Sequence, residues 1–254
     1  MLRIGTGRLA QLGKPPLLVG AGVPLPAPLT GAVARWDAYS GIVADTTNGG
    51  YKWNPVTGSS DLVSISGTGP DYSATGLSGR PAMQLSTGKS LVTSPAVSLV
   101  SGNLWFFIAF QMAAPATFAE LIGNTASGGT PLIRVNADGG LSVIRANQAI
   151  IASVAAGAVP FGQRVLLSYL YNNGATVKHV VRINKVLQTT VNDTNGGAYA
   201  TGANALAIGR QTATSSSTDA IAQISYFEAG SVTAPPTGTT LTDYEAALYN
   251  RWIA

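Results

Sequence analysis

The chain is predicted to be an all-β sandwich of two antiparallel sheets, with an extended N-terminal arm and one short C-terminal helix. Three observations carry that expectation. From about residue 31, apolar runs of about four to nine residues recur between clusters of Gly, Asn, Asp and Ser, the pattern of a sandwich. Before residue 31 the sequence GKPPLLVGAGVPLPAPLTG is apolar but broken by Pro and Gly, without a helical or strand period. Only the last residues carry helical periodicity. At 254 residues the chain can bury a full core in one domain.

The arm spans residues 1–30 and the body 31–254. Four basic side chains (Arg3, Arg8, Lys14, Arg35) and no acidic one stand in the first 36 residues, so the formal charge of +4 sits on this leading segment. Its aliphatics, among them Leu12, Leu17, Leu18, Leu25 and Leu29, are separated by prolines that favour an extended, low-entropy conformation. A segment of this kind suits docking on a partner, through Arg3, Arg8, Lys14, Leu17, Leu18 and Leu25. The basic start with its Pro-broken centre makes a poor signal peptide, and none is expected.

Within the body the clearest strand candidates are Leu104–Gln111, Pro131–Asn136, Leu141–Ala146, Arg164–Tyr171, Thr176–Ile183, Ala205–Arg210 and Ala220–Glu228. In Val165–Tyr171 both faces are largely apolar, which places this strand centrally with cover on each side. Asp138-Gly139-Gly140 and Asn172-Asn173-Gly174 lie between strand candidates, and Asn and Gly tolerate the positive φ that tight turns demand. Thr242-Asp243-Tyr244-Glu245 fits a capping box, with Leu241 as the apolar contact just outside it. Tyr244, Leu248 and Trp252 then form one apolar stripe at i, i+4 and i+8. So short a helix must dock on the sandwich to be stable.

Composition narrows the chemistry. Charged residues make up 10% of the chain, against roughly 25% in typical soluble proteins, which suits a surface packed against copies or partners. There is no cysteine, so no disulfide or thiolate chemistry is available. No apolar run approaches the ~20 residues that cross a bilayer. Glycoside hydrolysis needs two carboxylates about 5–5.5 Å apart, or further for inversion, and the three glutamates Glu120, Glu228 and Glu245 lack acidic partners at strand spacing. Only Glu245 has one, Asp243, and that pair is assigned to the helix cap. The single histidine, His179, stands between Val177 and Val181 on one strand face, which suits packing better than a catalytic set. One histidine without cysteine leaves no ordinary zinc site.

Asp45-Thr46-Thr47-Asn48 and Asn192-Asp193-Thr194-Asn195 have oxygen ligands of the type calcium prefers, but equally form turns, and no metal ligand or cofactor is expected. No phosphate-binding glycine loop is present in context. Lys178, Arg182 and Lys185 make a modest basic edge that reads as a solvated face, and no nucleic-acid partner is expected. Trp36, Tyr39, Tyr51, Trp53 and Tyr72 concentrate in loop-like sequence. They form either a sugar-stacking platform, with Trp36, Tyr51 and Trp53 as glycan-binding residues, or packing at the close of the sandwich.

Several short signatures stand in a recurring order: Arg35-Trp36-Asp37-Ala38, Lys52-Trp53, Gly79-Arg80-Pro81-Ala82-Met83-Gln84-Leu85, Ser90-Leu91-Val92, the aromatic strand Leu104–Phe110, Ala207-Ile208-Gly209-Arg210, and Ala220–Phe227. This succession resembles the concanavalin A-like (laminin G-like) jelly-roll domains, in the version found in tailed-bacteriophage virion proteins, over residues 31–254. The resemblance implies two curved sheets packed face to face and the two tryptophans as packing residues. It implies a non-enzymatic structural protein of a phage-like particle, located in the virion, as capsid decoration, head fibre or tail-associated subunit. Its partners would be capsid or tail subunits reached through the arm, and it would be a homo-oligomer. The alternative is a carbohydrate-binding adhesin module for host or environmental glycan. A glycoside hydrolase fits the residues least, because fold by itself does not supply chemistry.

Overall fold

In the computed structural model the described residues are 23–64, 69–86, 88–99, 102–124, 131–144, 150–191, 202–209 and 222–254. Strands β1 (Ala32–Asp37), β2 (Ile42–Ala44), β3 (Tyr51–Trp53) and β4 (Asp61–Ser64) come first. They are followed by β5 (Asp71–Leu77), β6 (Arg80–Leu85), β7 (Leu91–Ser94) and β8 (Val97–Leu99). The middle of the chain forms β9 (Leu104–Met112), β10 (Phe118–Asn124), β11 (Leu132–Asn136), β12 (Leu141–Ile144) and β13 (Ile150–Val154). Next are β14 (Val165–Tyr171), β15 (His179–Ile183), β16 (Val186–Val191), β17 (Gly202–Asn204), β18 (Leu206–Ile208) and β19 (Ala222–Ser231). Helix α1 (Gly238–Trp252) closes the chain.

Two antiparallel sheets make the expected sandwich. One runs β16-β15-β14-β9-β19-β6-β5, with β1 also pairing β19; the other runs β13-β12-β11-β10-β18-β7-β4-β3-β2. A small third ladder joins β17 to β8. In the first sheet β9 and β14 lie at the centre and are buried along nearly their whole length, as the two apolar faces of Val165–Tyr171 require. On one face of β9, Phe106 stacks on Tyr169 and Phe227 of the neighbouring strands, and Phe227 stacks on Trp36 of β1 at 5.3 Å.

The other face of β9 meets α1, where the Phe107 ring stands edge-on to Tyr244 at 5.3 Å. Leu241, Tyr244, Leu248 and Trp252 are buried beneath the helix, so the periodic stripe docks as the sequence demands. The capping box does not form. The helix starts at Gly238, one turn earlier, and Thr237 at its N-cap makes no side-chain bond. Thr242 Oγ1 instead donates to the carbonyls of Gly238 and Thr239. Glu245 points into the sheet, where the Arg182 Nε–H donates to both its carboxylate oxygens at 3.0 and 2.9 Å. A buried ionic partner outweighed a local cap that water could replace.

The described part of the arm belongs to the body. Leu25 and Leu29 are half-buried against its core, Arg35 Nη2 donates to the Pro26 carbonyl at 2.8 Å, and Arg251 Nη1 donates to the Val23 carbonyl. Residues 23–30 are thus held on the sandwich by two arginines, and the division at residue 30 falls inside a bonded segment. Arg3, Arg8, Lys14, Leu17 and Leu18 lie outside the described residues.

Candidate functional site

The β2–β3 hairpin tip touches the segment leading into β5. Gly50, at φ +71°, lies so close to Gly69 that a Cβ there would stand 2.8 Å from its Cα. Tyr51 N–H donates to the Pro70 carbonyl at 3.1 Å. This close approach, which glycine permits, brings Tyr51 of one sheet beside Tyr72 of the other. Their ring centroids are 5.7 Å apart, inclined by 49°, and both rings are half-buried. Burial and the neighbouring Tyr51 raise the Tyr72 phenol above its usual value. The strand neighbours of the two tyrosines alternate to the other face of their strands and form ion pairs of their own: Lys89 Nζ meets Asp71 Oδ2 at 2.6 Å, and Lys52 Nζ meets Asp61 Oδ2 at 3.0 Å. Two partly exposed aromatic faces from different sheets are an ingredient of a sugar-stacking surface.

Trp36 and Trp53 are not part of it. Both are fully buried; the Trp36 indole donates to the Ser60 carbonyl at 3.0 Å and the Trp53 indole to the Asp37 carbonyl at 3.1 Å. No ring face is left for a ligand, and of the three residues proposed for glycan only Tyr51 reaches the surface. Tyr72 takes the place of the tryptophans, a pairing that the 20 residues between the two tyrosines conceal. Leu25 is likewise occupied by the body's own core.

The carboxylates are structural. Glu228 is fully buried between sheet and helix. It accepts from the hydroxyls of Tyr226 and Tyr244, each at 2.5 Å, with Arg35 Nε 3.7 Å away. Burial raises its carboxyl above the ordinary value against the pull of both tyrosines and Arg35. Asp37 is also raised by burial, although Arg251 Nη2 donates to it at 2.6 Å. Rather than facing a groove at a strand end, Glu228 lies inside β19, sealed by α1. Glu120 pairs with Arg134 at 3.3 Å, and Glu245 is bound by Arg182. His179 is fully buried, its Nδ1 2.9 Å from the Tyr169 hydroxyl, the packing role its flanking valines suggest.

The expected basic edge is partly absorbed by the helix: besides the Arg182–Glu245 pair, Lys185 Nζ lies over the Tyr249 ring at 4.3 Å. Asp45 serves its own turn, accepting from the amides of Thr47 and Asn48 and from the Asn48 side chain, each at 3.0 Å. These bonds and the positive Lys52 nearby pull the Asp45 carboxyl below its usual value against a desolvation that is the largest single influence. The Asn192–Asn195 cluster lies outside the described residues. Among the described residues no group of three or more His, Cys, Asp or Glu is gathered as for a metal ion, and no helix is long and apolar enough to cross a membrane.

No protein-family model matches the sequence, and no curated protein does. Solved structures match the fold. One is the Trypanosoma rangeli sialidase in complex with 2,3-difluoro-KDN, at 10% identity and TM-score 0.58 over 87% of this chain. Another is the botulinum neurotoxin serotype D ligand binding domain in complex with N-acetylneuraminic acid, at 7% identity and TM-score 0.58 over 86% of this chain. The chain spans 33% of the sialidase and 50% of the neurotoxin fragment. These likenesses show the fold, an all-β sandwich of two antiparallel sheets. The names of these neighbours carry no link to a bacteriophage particle.

Proposed function

We propose that this chain is a non-enzymatic carbohydrate-binding module whose stacking surface is the Tyr51–Tyr72 pair. The observation that carries the proposal is the meeting of two half-exposed tyrosines, one from each sheet. The fold supports it through neighbours described as a sialidase and as a ligand binding domain in complex with N-acetylneuraminic acid. The non-enzymatic part rests on the carboxylates. Glu228 lies beneath α1 and Glu245 on the buried face of α1, and neither stands across an open cleft from a second acid as glycoside hydrolysis requires.

The test is a glycan array followed by titration of any hit. Tyr51→Ala and Tyr72→Ala are each expected to weaken binding about tenfold, as lost aromatic contact would, with the circular dichroism unchanged. An array without hits, or a hit that neither substitution weakens, overturns the reading.

A second reading, compatible with the first, is a subunit of a phage-like particle that is anchored by residues 1–22. Its support is the concentration of charge and aliphatics there, next to residues 23–30 that two arginines hold on the body. Deleting residues 1–22 is then expected to leave a folded body that no longer joins the particle. Retained incorporation would refute it.

A further inference from the structure

Residues 23–30 read VPLPAPLT, with prolines at 24, 26 and 28. Proline has no N–H, so this stretch cannot donate along a ladder as a strand does. It is held instead through its carbonyls and its leucines. Arg35 Nη2 donates to the Pro26 carbonyl at 2.8 Å, and Arg251 Nη1 donates to the Val23 carbonyl. Leu25 and Leu29 are half-buried against the core.

Neither arginine serves this stretch alone. Arg35 Nε also donates to the Tyr226 hydroxyl at 3.1 Å and stands 3.7 Å from Glu228. Glu228 in turn accepts from Tyr244 of α1 at 2.5 Å, and the two tyrosine hydroxyls are 3.2 Å apart. Arg251 is itself part of α1 and holds Asp37 at 2.6 Å. Two chains of bonds therefore run from residues 23–26 to the helix. One passes through Arg35, Tyr226 and Glu228 to Tyr244, and the other reaches the last turn directly. Both cross buried charge: the Arg35 and Glu228 side chains are 3% and 0% exposed, and those of Arg251 and Asp37 9% and 3%.

Buried charge makes the two ends interdependent. The attraction between Arg35 and Glu228 is strong only while water is kept out. Lifting residues 23–30 removes an acceptor from each guanidinium and admits water beside it. A hydrated Arg35 no longer compensates Glu228, which stays enclosed beneath the helix, and a buried charge without its partner is strongly unfavourable. The cost falls on the seat of α1.

We propose that residues 23–30 are a strap that latches α1, so that strap and helix open and close as one cooperative unit. A partner that draws the strap off the sandwich loosens the helix through the two arginines. Loosening the helix frees the strap by the same factor, as linkage requires. The latch stands independently of the glycan reading.

Native-state hydrogen exchange on the full chain reads the helix. The double variant Leu25→Ser/Leu29→Ser weakens the apolar hold of the strap and leaves both arginines and both carboxylates in place. It should speed exchange of the amides of residues 248–252 at least about tenfold, with the amides of β11 and β12 in the other sheet unchanged. Ile150→Ser, at an exposed position of that other sheet, should leave the helix amides as they were. Helix exchange that the double variant leaves unchanged overturns the proposal. So does an equal rise in both sheets, which would report a general loss of stability.

The converse measurement does not depend on how well the serine variant folds. The chain has no cysteine, so Leu29→Cys supplies a single thiol whose alkylation rate reports opening of the strap. Tyr244→Phe removes one hydrogen bond to Glu228 with little change of shape, and should raise that rate at least about threefold. A rate that Tyr244→Phe leaves unchanged refutes the latch.

Discussion

Arg251, on the last turn of α1, donates from Nη2 to Asp37 Oδ2 of β1 at 2.6 Å. The same guanidinium donates to the Val23 carbonyl and lies over the Tyr39 ring at 4.9 Å. One side chain therefore fastens helix, first strand and the root of the arm. Both partners of the ion pair are nearly inaccessible, so their value is conditional: a paired buried charge is tolerated, an unpaired one is not.

Arg251→Ala should destabilise the fold by about 3–5 kcal/mol, because it leaves Asp37 buried without its cation. Arg251→Met with Asp37→Asn should recover a large part of that loss. Urea unfolding monitored by fluorescence measures both. A single-variant loss under about 1 kcal/mol would mean that water replaces the guanidinium freely.

The pH dependence follows from Glu228 and Asp37, both raised by burial above ordinary values of 4.5 and 3.8. Between its unfolded and folded pKa, each carboxyl binds more protons in the native state than in the unfolded one. Its contribution to stability is therefore fully present below the unfolded pKa and lost as pH rises through the folded pKa. Unfolding free energy should fall as pH rises from about 4 through the native titrations, and Glu228→Gln should flatten part of that slope. A slope unchanged by the substitution would show that Glu228 does not titrate there.

Gly230 of β19 packs against the Trp105 ring so tightly that a Cβ would fall 2.0 Å from its ring carbons. Gly230→Ala must push aside a buried indole and is expected to cost at least about 3 kcal/mol, the upper range of overpacking. Thermal unfolding reports it directly, and a near-neutral result would mean that β19 shifts to relieve the clash.

Trp53→Ala separates the two readings of the aromatic cluster. A buried indole whose N–H holds the Asp37 carbonyl should take about 3–5 kcal/mol of stability with it. Any glycan affinity measured on material that remains folded should be retained. Selective loss of glycan binding with full stability would return Trp53 to the binding surface.

The sandwich was legible because its signals are local. The expected strand Leu104–Gln111 appears as Leu104–Met112, and Arg164–Tyr171 as Val165–Tyr171. Gly139 supplies the positive φ its turn requires. The helical stripe of Tyr244, Leu248 and Trp252 docks as its spacing demands. Less local features misled. Thr242 and Glu245 have capping-box spacing, yet Arg182 lies 63 residues upstream and claims the glutamate.

By itself the sequence determined alternation, turns and the amphipathic helix, since each depends on neighbours within a few residues. It also determined how little catalytic chemistry was on hand. Only the tertiary structure decided which aromatics are buried and which carboxylates are sealed. Trp36, Trp53, Tyr51 and Tyr72 look alike in a linear reading. Their fates diverge because burial depends on the opposite sheet and on the docked helix, partners brought together by the fold rather than by sequence proximity.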